Sequence, residues 1–162
     1  MNGPLRIIFS VTLLLMWTIF GLSLANDAWT TSNWLMLGLA FLGAMLGVVL
    51  SGSLIQIAFF WELTSLFSFL LIGYWHHRAD ARRGARMALV VTGAGGLCLL
   101  AGVLVLGRIA GSFDLDVVLA AGDRVRAHEL YPVALALVLL GALTKSAQFP
   151  FHFWLPHAMA AP

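Results

Sequence analysis

Charge is scarce in this sequence. Of its 162 residues 10% are Asp, Glu, Lys or Arg and 61% are hydrophobic, too few polar side chains to clothe a globule in water. A bilayer supplies the missing apolar solvent. Cysteine is nearly absent: Cys98 stands alone inside an apolar stretch, which excludes an intrachain disulfide and a cysteine metal cluster. The net charge of +2 does not point to nucleic acid, because the basic residues fall between apolar runs instead of along one face. Lipid headgroups are the better partner for them. A phosphate-binding loop is also missing. The Thr-Lys-Ser at 144–146 lacks the glycine spacing, and Gly93, Gly95 and Gly96 lie within an apolar run, so no nucleotide or other cofactor site is expected. No nucleophile, base and orienting acid are spaced as in a hydrolase, which argues against an enzyme.

What is present reads as an all-α, polytopic transmembrane helix bundle in a single membrane domain, 1–162. About 20 apolar residues cross a bilayer at about 1.5 Å per residue, and five stretches approach that length: 4–24, 31–50, 54–75, 88–109 and 130–149. The first is too long for a signal-peptide core and no small-residue cleavage site precedes Asn26, so it is expected to be a retained helix. The short Ser51-Gly52-Ser53 link makes the second and third spans antiparallel neighbours. Gly43, Gly47 and Ser51 recur on one face of the second, where small residues admit close backbone approach. Arginines 78, 82, 83 and 86 cluster between the third and fourth spans, whereas Arg6, Arg108, Arg124 and Arg126 are scattered. The clustered set is expected on the inside, with the amino terminus outside. After Phe149, Pro150 and Pro156 interrupt an apolar run; proline removes a donor and clashes with the preceding turn. The segment 150–162 reads either as a broken or re-entrant helix around a hydrated site, or as a helix that ends at the membrane surface.

Two charged residues lie deep within spans. Glu62 is about 12 Å along its helix from Leu54, and Lys145 about 22 Å from Leu130. An ionised side chain at such depth is costly and is kept mainly where it pairs, relays protons or lines a water path. Hydrocarbon disfavours the charged form of an amine and a nearby carboxylate favours it. A change in the separation of Glu62 and Lys145 therefore switches the lysine between holding and releasing a proton. The bland alternative is a static ion pair that fixes helix register. Thr64, Ser65, Thr144, Ser146 and Gln148 offer hydrogen-bonding side chains beside the pair. His152 and His157 titrate near neutral pH and are further relay candidates. Their separation is not the i, i+4 pairing of helical metal sites, and no metal is expected.

The stretches FFWELTSLFSFLLIGYW and GALTKSAQFPFHFWLPHAMAAP resemble the antiporter-like membrane subunits shared by respiratory complex I and the multisubunit cation/proton antiporters, and among these the large A-type component of the Mrp or Pha systems. The likeness covers about 34–162, and its two motifs carry the membrane glutamate at Glu62 and the broken-helix lysine at Lys145. The resemblance implies that Glu62 tunes the proton affinity of Lys145 within a longer relay along the membrane plane. It implies export of Na+ or another monovalent cation against protons, sister membrane subunits as partners and a multi-pass place in the bacterial inner (plasma) membrane. It also implies that these residues are a fragment of a longer polypeptide. The proton-pumping membrane components of complex I-like quinone dehydrogenases share both charged positions, and a non-transporting scaffold fragment is the third reading.

Overall fold

The computed structural model describes residues 31–159, so the first expected span and the last three residues lie outside it. Within this range the chain is helical, with no named strand. Helix α1 covers Thr31–Leu50, α2 Leu54–Ile72, α3 Ala79–Ala110, and two short helices follow, α4 (Leu115–Ala120) and α5 (Gly122–Arg126). Helix α6 is Tyr131–Lys145; a single 3₁₀ turn, Phe151–Phe153, leads to α7, Trp154–Ala158. Three of these, α1, α2 and α3, are long and apolar enough to cross a membrane, and the chain is a multi-pass membrane protein.

Two ends of the bundle are fixed by bonds within and between links. Leu54 N donates to Phe113 O and Leu115 N to Gly52 O, each at 2.9 Å, so the α1–α2 and α3–α4 links meet at one end. At that end Gly111, with φ +77°, closes α3 in the left-handed conformation that glycine tolerates best, and the Arg124 guanidinium donates to the carbonyl of Ala110. At the opposite end Arg82 donates to the carbonyls of His76 and His77, and Arg78 pairs with Asp80 at 2.6 Å. Helix α3 therefore runs antiparallel to α2. Helix α6 returns beside α3, and α7 packs against the beginning of α3, where Trp154 and Ala158 join Ile72, Ala85 and Ala88.

Helix boundaries differ from the expected spans for reasons of length. The helix that carries the fourth expected span starts at Ala79, ahead of Ala88; its 32 residues are about 48 Å long and overshoot a hydrocarbon layer of about 30 Å. Its first turns carry Arg82, Arg83 and Arg86 beyond the apolar zone as helix, where a loop was expected. The fifth is shorter than expected: α6 has 15 residues, about 22 Å, and stops at Lys145 instead of reaching Phe149. The stop is a backbone motif. Gln148 N bonds Leu143 O at 3.0 Å and Ala147 N bonds Thr144 O at 3.4 Å, with Ala147 at φ +50°. This is a Schellman ending with alanine where glycine is usual, a conformation that strains a non-glycine residue. Pro150, which follows a cis peptide bond, lies beyond the ending. Pro156 breaks nothing: it falls in the first turn of α7, where backbone N–H groups have no intrahelical partner to lose.

Packing depends on small residues, since lipid gives helices no hydrophobic reason to associate. The ring of Phe60 on α2 fills the space over Gly47 on α1, and Leu37, Ala40 and Ala44 pack against Phe67. On α3, Gly102 faces α6 so closely that an added Cβ would lie 2.8 Å from Val138 Cγ2 and 3.1 Å from Ala134 O. Gly102→Leu should therefore lower stability by about 1–3 kcal/mol or more through overpacking. The readout is the thermal midpoint of the protein in detergent, with Gly38→Leu, which meets open space, leaving it unchanged.

Candidate functional site

A small polar patch lies within the otherwise apolar bundle. Among the described residues the largest fully buried side chains are Thr64 and Ser65 of α2, one turn beyond Trp61. Hydroxyl groups persist in an apolar helix by bonding to its own carbonyls. Thr64 Oγ1 donates to Trp61 O at 2.7 Å, and Ser65 Oγ lies 3.4 Å from the same carbonyl. Into this patch comes the last residue of α6. Lys145 Nζ donates to Ser65 Oγ at 2.6 Å and to Trp61 O at 3.3 Å, and its charge sits 5.8 Å from the centre of the Trp61 ring, within cation–π reach. Lys145 is in the final turn of α6, where the carbonyl ends of the helix favour a cation.

Glu62 follows Trp61 on α2 but lacks a comparable seat. Its Oε1 is buried and has no hydrogen-bond partner among the described residues, as is true of the Trp61 indole N–H. Among the described residues the ion pairs are Arg78–Asp80 and Arg126–Asp123, so Glu62 and Lys145 are not joined as a direct pair. They are near enough for electrostatic coupling. The static ion pair considered from the sequence is therefore not what holds Lys145; a hydroxyl and a backbone carbonyl do. An unpartnered carboxylate oxygen inside a low-dielectric bundle is a high-energy arrangement.

The other candidates divide. Thr144 is buried beside Lys145, its hydroxyl donating to Gly141 O at 2.9 Å, and its carbonyl accepts from the Trp154 indole at 2.9 Å. That bond ties α7 to the end of α6. Ser146 donates to Ala142 O at 2.7 Å on its own helix, on the exposed side of the turn, and Gln148 is likewise exposed. His152 stacks on Phe149 with ring centres 5.8 Å apart, and His157 is exposed. The Lys145 amine is held by α2 alone, with neither histidine among its hydrogen-bond partners. Among the described residues no group of three or more His, Cys, Asp or Glu is arranged for a metal.

Three contributors escape a reading of side-chain chemistry. The Trp61 carbonyl is a backbone atom and leaves no mark on the sequence. Gly95 and Gly96 lie at the middle of α3, where Thr144 packs over Gly95 and the Glu62 carboxylate over Gly96. The adjacent glycines within an apolar span are their only signal. For the lysine seat, Ser65→Ala should cost about 1.5–3 kcal/mol, the range for hydrogen bonds to charged groups, in chemical denaturation in detergent. Ser146→Ala, away from the buried patch, should stay within about 0.5 kcal/mol.

The motif-bearing part of the chain matches known proteins. Residues 51–162 match the family described as NADH:quinone oxidoreductase/Mrp antiporter, transmembrane. The A/B component of a probable K(+)/H(+) antiporter from Rhizobium meliloti (strain 1021) is 71% identical over 124 residues, which is 76% of this chain and 12% of that protein. The A component of the Na(+)/H(+) antiporter from Alkalihalophilus pseudofirmus is 48% identical over 151 residues, 93% of this chain and 18% of the relative. The chain thus spans less than a fifth of the length of these relatives. Among solved structures, the Mrp complex from Dietzia sp. DQ12-45-1b superposes with a TM-score of 0.74 at 36% identity, covering 81% of this chain and 14% of that one. The membrane-bound sulfane sulfur reductase, an archaeal respiratory membrane complex, gives 0.72 at 25% identity, covering 96% and 31%. With a family match over most of its length and the same helical fold in both assemblies, this chain belongs to the membrane-subunit family shared by NADH:quinone oxidoreductases and Mrp antiporters.

Proposed function

We propose that these residues form part of the large A-type component of a cation/proton antiporter in a bacterial plasma membrane, working with sister membrane subunits, and that Glu62 and Lys145 relay its protons. The observation that carries the proposal is the unequal seating of the two charges. Lys145 has acceptors of its own in Ser65 Oγ and Trp61 O, whereas Glu62 Oε1 has no partner among the described residues. A carboxylate locked to the amine would hold both groups charged; here each is free to change its protonation without breaking a direct ion pair. In its charged form the amine is satisfied by the α2 patch and felt by Glu62. When it yields its proton, the same hydroxyl can turn and donate to the neutral nitrogen. A proton gained by Glu62 neutralises the carboxylate and supplies a donor.

Thr64 and Thr144 line this step, since both are buried beside it. Ser146, Gln148, His152 and His157 would serve on the approach from the α7 end. The cation is not specified by these side chains. The relative at 71% identity is named for K(+) and that at 48% for Na(+), so either monovalent cation fits the proposal. A second reading, redox-driven proton translocation, draws on the likeness to the archaeal respiratory complex.

The test is exchange by the full-length protein in its assembled complex, in everted membrane vesicles carrying a preformed pH gradient. Addition of Na+ or K+ should collapse the gradient, and Glu62→Gln or Lys145→Ala should reduce that response by about a hundredfold or more, as expected when a proton-transfer group is lost. Normal exchange by either variant at equal assembly removes that residue from the relay. A response to NADH or another electron donor, with none to either cation, favours the redox-driven reading.

A further inference from the structure

Most buried glycines of α3 are held by something rigid. An added Cβ at Gly84 would run into the backbone carbonyl of His157, at Gly102 into Val138 and the backbone of α6, and at Gly107 into the ring of Phe113. Gly95 meets Thr144, a short β-branched side chain that is itself buried and stiff at its first torsion. Gly96 is different. The three nearest atoms to a Cβ there are Oε1, Cδ and Oε2 of Glu62, the flexible end of one side chain. The atoms that a methyl at 96 would displace first are those of the carboxylate, and no backbone atom of another helix lies nearer than they do.

The two neighbouring glycines thus stand against the two halves of the site. Gly95 accepts the residue that precedes Lys145, and Gly96 accepts the carboxylate itself. Because Oε1 is buried without a hydrogen-bond donor among the described residues, no bond to that oxygen fixes where the carboxylate sits. Its place is set by shape: α3 leaves a hollow one methyl deep, and Glu62 occupies it. We propose that Gly96 is a positioning residue that seats the Glu62 carboxylate against α3, apart from the Lys145 amine. The inference rests on the relay reading above and adds to it the element that sets the spacing of its two groups.

The consequence is that a single methyl at 96 displaces chemistry before it displaces helices. In the full assembled complex, Gly96→Ala should assemble as the unsubstituted complex does, lower cation-driven exchange by about tenfold or more, as small misplacements at reacting groups do, and shift the pH profile of the remaining exchange. Gly93→Ala, on the same helix with open space around its Cβ, should leave rate and profile unchanged. A Gly96→Ala complex that matches Gly93→Ala in both overturns the proposal. If Gly96→Ala fails to assemble, Glu62→Ala added to it decides: restored assembly means that the collision was with the carboxylate, and continued failure means that the glycine serves helix packing and the proposal is wrong. Loss of the relay reading gives a different pattern, with Glu62→Gln exchanging normally. In that case the thermal midpoint of the complex is the readout, and Gly96→Ala must lower it and the added Glu62→Ala restore it for the positioning role to stand.

Discussion

An ammonium group inside an apolar bundle must find acceptors, and that requirement organises the rest of this structure. Lys145 meets it on the neighbouring helix, with the Ser65 hydroxyl at 2.6 Å and the Trp61 carbonyl at 3.3 Å. Helix α6 ends at that residue, so the amine leaves the carbonyl end of a helix, where the dipole favours a cation. The chain then turns through Ala147 in a strained left-handed conformation and is tied back by the Trp154 indole on the Thr144 carbonyl. Each feature keeps one side chain at one depth. The long α3 lies against both partners, and Glu62 stands beside the lysine seat without a direct ion pair forming.

The small residues have two distinct tasks. In a bilayer, close backbone approach replaces the hydrophobic effect as the source of helix association, and Gly47, Gly102 and Gly141 serve it directly by facing a ring, a valine or another backbone. At Gly96 the nearest atoms are those of the Glu62 carboxylate. The outward surface is apolar, with Val49, Val90, Leu97 and Leu119 among the large exposed side chains, while the hydroxyls of Thr64, Ser65 and Thr144 face inward. Such an apolar exterior accords with lipid and neighbouring helices as the surroundings.

Much of this was legible in the residues themselves. Apolar run length gave the helical class, the Ser51-Gly52-Ser53 link gave the antiparallel α1–α2 pair, and the rarity of charge in hydrocarbon singled out Glu62 and Lys145. Sequence reasoning failed where backbone geometry decides. Arg82, Arg83 and Arg86 read as a loop because charge usually ends a span, yet α3 simply continues past the apolar zone. Pro150 and Pro156 drew attention as breakers, but the helix ends earlier on Ala147, whose left-handed φ no propensity suggests. The Trp61 carbonyl belongs to the backbone and carries no residue signal. Gly96 is significant because of which helix faces it, and that is a tertiary fact. Ser146 and Gln148 are near the lysine in sequence yet exposed, the Ser146 hydroxyl being bonded to Ala142 O of its own helix.

The central claim is that Glu62 and Lys145 are seated separately so that each can change its protonation. Infrared difference spectra of the assembled complex through steps of pH, with Glu62→Gln used to assign the carboxyl band, test it most directly. The account predicts that the Glu62 band interconverts between acid and carboxylate across the pH range in which exchange occurs, and that Lys145→Ala displaces this titration. A Glu62 band that stays in one form throughout that range, unaltered by Lys145→Ala, would contradict it.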